Sequence, residues 1–107
     1  MAISADLLRG YTDTIILRRL ALGDSYGYRL AKEVSSISDG QLELKEATLY
    51  TAFRRLEGAG LITSRWSDEQ SGGPRRRYYS ITERGSARLE EDCVTWESTK
   101  RLLSMLL

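Results

Sequence analysis

Histidine is absent from this 107-residue chain, and cysteine occurs once, at Cys93. Without histidine the commonest metal ligand and the commonest general base are missing, and most hydrolase and zinc-enzyme chemistries go with them. A lone cysteine forms no intrachain disulfide and builds no cysteine-rich metal site. No convergent carboxylate pair sits in a recognisable motif, so the chain is not read as an enzyme, and no metal or cofactor is expected. Long apolar runs are also missing: nothing approaches the ~18–20 residues of a membrane span. The first ten residues, MAISADLLRG, lack the basic start and apolar core of a signal peptide. The chain therefore reads as cytoplasmic. Bulk charge is absent too, the formal net value being +1.

What is present is ordinary in composition and uneven in distribution. The length suits one domain able to bury its own core, and 41% hydrophobic with 29% charged residues is typical of globular proteins. From Lys45 to Ser80, however, seven positive side chains face four negative ones. A local basic face on a neutral protein is what groove binding of nucleic acid requires.

The most informative stretch is 44–60, LKEATLYTAFRRLEGAG. As a helix it puts Leu49, Ala52, Phe53 and Leu56 on one stripe. Ala47, Thr51, Arg54, Arg55 and Gly58 fall opposite, with Thr48 and Tyr50 on the flanks. Exposed faces are more often Glu/Lys mixtures, whereas arginine forks onto phosphate or guanine and hydroxyls reach either. The competing reading is a solvated face with some i,i+4 charge pairing.

Before this stretch, 5–22 reads as an amphipathic helix with Leu8, Tyr11, Ile15 and Leu22 on one stripe, widened by Leu7, Ile16 and Leu20. A second helix is expected from an Asp24 or Ser25 cap to about Ser38, burying Tyr28, Leu30, Ala31 and Val34. Gly27 in its first turn suggests close backbone approach, since a helix-interior glycine costs about 0.5–1 kcal/mol. Ser38-Asp39-Gly40 is a turn, and Gln41–Leu44 alternates like a short edge strand. Gly58 and Gly60 mark the end of the central helix.

After it, 61–66 and 76–81 have strand composition, with Tyr79 and Ile81 on one face. The connection 67–75 is too long for a two-residue turn and leads into Arg75-Arg76-Arg77. Thr82 is a good N-cap for a last helix of up to about 25 residues. Leu89, Cys93, Trp96, Leu103 and Leu107 form a coiled-coil-like seam along it.

Helix, helix, short strand, helix, strand, basic loop, strand and long helix make a mainly α chain with a small antiparallel β wing. This is a winged helix-turn-helix over 1–81 followed by a long C-terminal dimerisation helix over 82–107. Residues 45–58 are its recognition helix and 67–77 its wing. The wing arginines would follow the DNA backbone or minor groove; otherwise they protect a solvated edge strand. A helix bearing Leu89, Trp96, Leu102, Leu103, Leu106 and Leu107 cannot bury that face alone, so a two-fold homodimer with two DNA half-sites is expected. Trp66 reads as a packing residue. Cys93 reads as a buried apolar residue whose neighbours Glu90, Glu91, Asp92 and Glu97 disfavour a thiolate.

The segments GDSYGYRLAKEV, LKEATLYTAFRRLEGAGLI and SGGPRRRYYSITERG together resemble the PadR family of winged-helix transcriptional repressors across nearly the whole chain. Ala47-Thr48-Leu49-Tyr50 with Arg55-Leu56-Glu57, the 72–79 wing and Thr82-Glu83-x-Gly85 carry the most specific parts. The single C-terminal helix resembles the small, multidrug-responsive LmrR-like subfamily. The resemblance implies a homodimeric repressor on a pseudo-palindromic operator of double-stranded DNA. For DNA contact it points to Thr48, Tyr50 and Arg54 or Arg55 in the recognition helix and Arg75, Arg76 and Arg77 in the wing; the polar face of the helix adds Thr51, and Lys45 precedes it. Lys45 stands where a small capping residue would be better chemistry, which suggests a phosphate contact. The resemblance also implies a hydrophobic or aromatic effector at the dimer centre, against Trp96 with Leu89 and Cys93; plain dimer packing of Trp96 is the other reading. Leu8, Trp96, Leu103 and Leu107 are the candidate dimer contacts. The competing functional class is a winged-helix protein-interaction module without specific DNA binding.

Overall fold

In the computed structural model, which describes residues 5–67 and 75–107, the central stretch is a helix over Glu46–Gly58. Its stripe of Leu49, Ala52, Phe53 and Leu56 is buried, as the 3.6-residue period requires. The chain runs α1 (Ala5–Leu8), a 3-10 turn (Arg9–Tyr11), α2 (Thr12–Ala21), α3 (Gly27–Ile37), α4 (Glu46–Gly58), β1 (Ile62–Trp66), β2 (Arg77–Ile81) and α5 (Glu83–Leu106). The strands are antiparallel, with Ile62 opposite Ile81 and Trp66 opposite Arg77. This is the winged helix-turn-helix with its long last helix.

One core joins all these layers. Ile16, Leu17 and Leu20 of α2 and Leu30 and Val34 of α3 close around the α4 stripe. Leu61, Ile62, Tyr79 and Leu89 complete the cluster. Phe53 lies at its centre, stacked on Tyr79 with ring centroids 3.9 Å apart and planes 17° from parallel. Burying such a side chain contributes roughly 1.5–3 kcal/mol.

The structure departs from the sequence reading in four places. First, the helix expected over 5–22 is interrupted by the 3-10 turn. Its core stripe is Ile16-Leu17-Leu20, while Leu8, Tyr11 and Ile15 lie on the opposite side and Leu7 and Leu22 are exposed. The helix thus has two apolar faces; one forms this core, and Ile15 of the other also packs against it. Second, α3 is capped by Tyr26 rather than Asp24 or Ser25, because the Ser25 backbone pairs with Tyr79 as an isolated bridge. Tyr28 is exposed instead of buried. Third, no strand forms at 41–44; Leu42 and Leu44 rest against the core, so one side of an extended segment accounts for the alternation. Fourth, a Cβ on Gly27 would find Phe53 at 3.6 Å, an ordinary contact, so close approach does not explain that glycine.

Gly60, at φ +76°, takes the left-handed conformation that ends α4. The chain then enters β1, and α5 returns across its start. Thr82 secures the junction twice: its hydroxyl accepts from the Gly85 N–H at 3.0 Å and donates to the Gly60 carbonyl at 2.8 Å. Beyond Trp96, the last α5 residue seen against Tyr11, the helix runs on past these contacts. The radius of gyration is 15.2 Å, against the about 13 Å expected of a compact chain this long. Leu102, Leu103, Met105, Leu106 and Leu107 on its distal part are all exposed.

Candidate nucleic-acid interface

The polar side of α4 is open to solvent. Lys45 occupies its N-cap without a side-chain capping bond, and Thr48, Thr51, Arg54 and Arg55 are exposed. Tyr50 is 46% exposed; its ring meets Phe53 edge-on at 6.1 Å, so a fully buried residue orients it. The two adjacent arginines differ. Arg55 forks onto Asp13 of α2, its Nε at 3.1 Å from one carboxylate oxygen and its Nη2 on the other. Hydrogen bonding to Asp13 raises the pKa of this guanidinium further. Arg54 has no ion pair among the described residues and points to the opposite side of the helix, beside Tyr50 and Glu57.

The pleat divides the wing arginines in the same way. Arg77 lies on the strand face shared with Ser64 and Trp66. It donates to Ser64 Oγ at 2.8 Å and sits 3.6 Å from Glu57, which also accepts from Ser64 at 2.6 Å. That cluster ties the root of the wing to the last turn of α4. Arg75 and Arg77 each rest 5.6 Å from the Trp66 ring centre. Trp66 is 51% exposed and is a platform for cations, not the packing residue expected from sequence. It ends the strand, beyond the reach of the core. Arg76 turns to the other face, 4.7 Å from the Tyr26 ring. Neither Arg75 nor Arg76 has a carboxylate partner among the described residues. The expected wing tip, 68–74, lies outside them.

Between α3, α4 and the wing lies a cleft of about 660 Å³, lined by Tyr26, Tyr28, Tyr50, Arg54, Trp66 and the three wing arginines among others. Tyr26 and Tyr28 were not anticipated as part of it, although Tyr28 is 72% exposed; Arg29 follows them in sequence, 4.7 Å from the Tyr26 ring. The fold brings together every expected DNA-contact side chain along one edge except Lys45, Thr48, Thr51 and Arg55. Thr48, Thr51 and Arg55 line a separate small cleft with Arg9 and Thr12. The chemistry of the larger cleft is cationic and aromatic, and Glu57, its one carboxylate among the described residues, is engaged by Ser64 and Arg77.

A second face is apolar. Leu8, Tyr11 and Ile15 form a groove of about 460 Å³ with Ile37, Leu42, Cys93 and Trp96. Trp96 is 43% exposed and meets Tyr11 at right angles, centroids 5.6 Å apart. Leu89, expected beside Trp96 in a ligand site, is instead buried in the core two turns earlier. Thr14 donates to Asp92 at 2.7 Å and Arg18 to Cys93 Sγ at 3.4 Å, which fastens α2 to α5. The sequence neighbours of Cys93 suggested an acidic setting, but the fold adds this cation from 75 residues away.

Comparison with known proteins gives a consistent match. Residues 16–91 fit the family described as "Transcriptional regulator PadR-like family". An uncharacterized protein of Lysinibacillus sphaericus is 37% identical over 98% of this chain and 95% of its own length. The transcriptional regulator YqjI of Escherichia coli is 32% identical over 73% of this chain, which spans only 35% of that longer protein. A transcriptional regulator from Clostridium thermocellum has a TM-score of 0.86 at 44% identity, covering 94% of this chain and 96% of that one. A PadR family transcription regulator from Clostridium difficile has a TM-score of 0.79 at 39% identity, covering 91% and 98%.

Proposed function

The chain belongs to the PadR-like family of transcriptional regulators, and from that premise we propose that it is a homodimeric repressor of a pseudo-palindromic DNA operator. The observation that carries this reading is the cluster of Arg54, Arg75 and Arg76, none with a carboxylate partner among the described residues, on one edge with Tyr50 exposed beside them. Tyr50 and Arg54 address base edges; Arg75 and Arg76 hold the backbone or minor groove beside them; Lys45, Thr48, Thr51 and Arg55 meet phosphate on the far side. Arg77 acts chiefly by fixing the wing. Residues 1–81 form the DNA-binding unit and 82–107 supply the dimer contacts, with the change of role near residue 82. Leu8, Trp96, Leu103 and Leu107 lie in the shared interface, and the open apolar side of α2 and the exposed end of α5 support it. No helix among the described residues is long and apolar enough to cross a membrane, in keeping with the cytoplasmic role.

Selection from a random-sequence DNA library by the wild-type protein tests this reading. It should enrich a two-fold-related sequence with half-sites roughly 34 Å, one turn, apart, bound by two chains in sedimentation. Affinity should fall steeply with salt. Weak binding without enrichment would instead favour the protein-interaction module, for which the neutralisation of Arg55 by Asp13 and of Arg77 by Glu57 gives some ground.

The groove at Trp96 also suits a flat hydrophobic or aromatic effector that releases the operator. Its aromatic floor of Tyr11 and Trp96 supports that role. A planar aromatic cation should quench tryptophan fluorescence in the wild type and much less after Trp96→Leu. Equal quenching in both would assign the signal to Trp66 and remove the effector site.

A further inference from the structure

On the side of α4 away from the wing, Arg9, Thr12, Thr48, Thr51 and Arg55 surround a cleft of about 320 Å³. We infer that this cleft holds a DNA phosphodiester and that Asp13 is the positioning residue that aims Arg55 into it. The inference rests on the DNA-binding reading above and extends it to the first two helical segments.

Asp13 is polar yet lies on the core stripe of α2, one turn before Ile16 and Leu17, and its side chain is only 19% exposed. An acid there is held rigidly. It engages the Nε–Nη2 edge of Arg55, which leaves the Nη1 edge of the guanidinium free. Guanidinium groups present five N–H donors in a plane, so fixing one edge fixes where the others point. Arg55 shares its cleft with Thr12, Thr48 and Thr51, residue types whose hydroxyls are acceptable phosphate donors. Arg9 completes the rim. Its salt bridge to Asp6 joins two side chains that are about four-fifths exposed, and such a pair gives way readily to a stronger anion.

The opposite view is that Asp13 competes with DNA for Arg55. The Asp13 side chain is only 19% exposed and both its oxygens are engaged by Arg55, whose own charge offsets its repulsion of a phosphate beyond. Ordering a long, flexible side chain before binding outweighs the remaining repulsion.

The test is a salt titration of binding by the full chain to two duplexes. One is enriched from random sequence by the wild type; the other is a scramble of equal length and composition. Asp13→Asn should weaken binding to both about tenfold and reduce the log–log salt slope by about one, the signature of one lost phosphate contact. Arg55→Gln should do the same, the double variant no more, and Asp13→Glu should restore most of the loss. Equal or tighter binding by Asp13→Asn would make Asp13 a competitor and overturn the inference. So would a loss of the same size in the Arg55→Gln background, which indicates a structural role, or a loss confined to the enriched duplex, which indicates base reading. Arg54→Ala separates the two levels. If it weakens binding while Asp13→Asn does not, only this inference fails; if the wild type enriches no sequence, the DNA-binding reading fails with it.

Discussion

Gly85→Ala should lower the stability of the fold by about 3 kcal/mol or more, more than any other single-methyl addition at a described glycine. A Cβ at this position would stand 2.1 Å from the Leu61 carbonyl oxygen and 2.7 Å from Ile81 Cγ1. The Ile81 side chain can turn aside; the carbonyl cannot. It accepts the Thr82 N–H at 3.0 Å, and the preceding Gly60 carbonyl is held by the Thr82 hydroxyl. The helix must therefore lift from β1 and carry Leu89 partly out of the core. At about 4–8 °C per kcal/mol, melting should fall by roughly 10–20 °C at matched protein concentration. Gly58→Ala is the control. Nothing lies within 4 Å of a Cβ there, and its helical backbone suits alanine, so stability should hold or rise by about 0.5–1 kcal/mol. Equal melting of the two variants would contradict the docking of α5 on β1.

The same glycine shows what was legible in the sequence and in what form. Thr82-Glu83-x-Gly85 stood out as a pattern, and Thr82 was readable as a cap from its chemistry alone. The reason for Gly85 was not readable, because the atom it avoids belongs to Leu61 on another element. The buried stripe of α4 was fully legible because one helix face meets one core. On α2 the pattern misled: Leu8, Tyr11 and Ile15 do form a stripe, but it is the one turned away from Ile16, Leu17 and Leu20. Periodicity reveals an apolar face without saying what covers it. At 41–44 it reported a real alternation of contact with the core, while the actual partner of Tyr79 was Ser25, a pairing that no local pattern encodes.

For the candidate site, the sequence supplied residue types and the fold supplied their unequal roles. Arg54 and Arg55 are neighbours with identical chemistry, as are Arg75, Arg76 and Arg77. Asp13, 42 residues before Arg55, and Glu57, in the last turn of α4, neutralise one member of each set. Asp13 carried a faint signal, a polar residue on an otherwise apolar core stripe. Tyr26 and Tyr28 join the edge because α3 begins beside α4, a packing relation invisible along the chain.

The central claim is that α4 reads DNA through the side chains its core stripe leaves outside. Tyr50 and Arg54 are both exposed and bear little of the packing, so replacing them leaves the fold intact while removing the proposed base contacts. Each good base contact is worth about 1–3 kcal/mol of discrimination, so loss of two corresponds to about a hundredfold in affinity. Binding of the wild type and of the Tyr50→Ala/Arg54→Ala variant should be compared on the enriched and scrambled duplexes at one salt concentration. The account predicts that the variant loses about a hundredfold on the enriched duplex, much less on the scramble, and melts within a few degrees of the wild type. Unchanged affinity for the enriched duplex in a folded variant would contradict it.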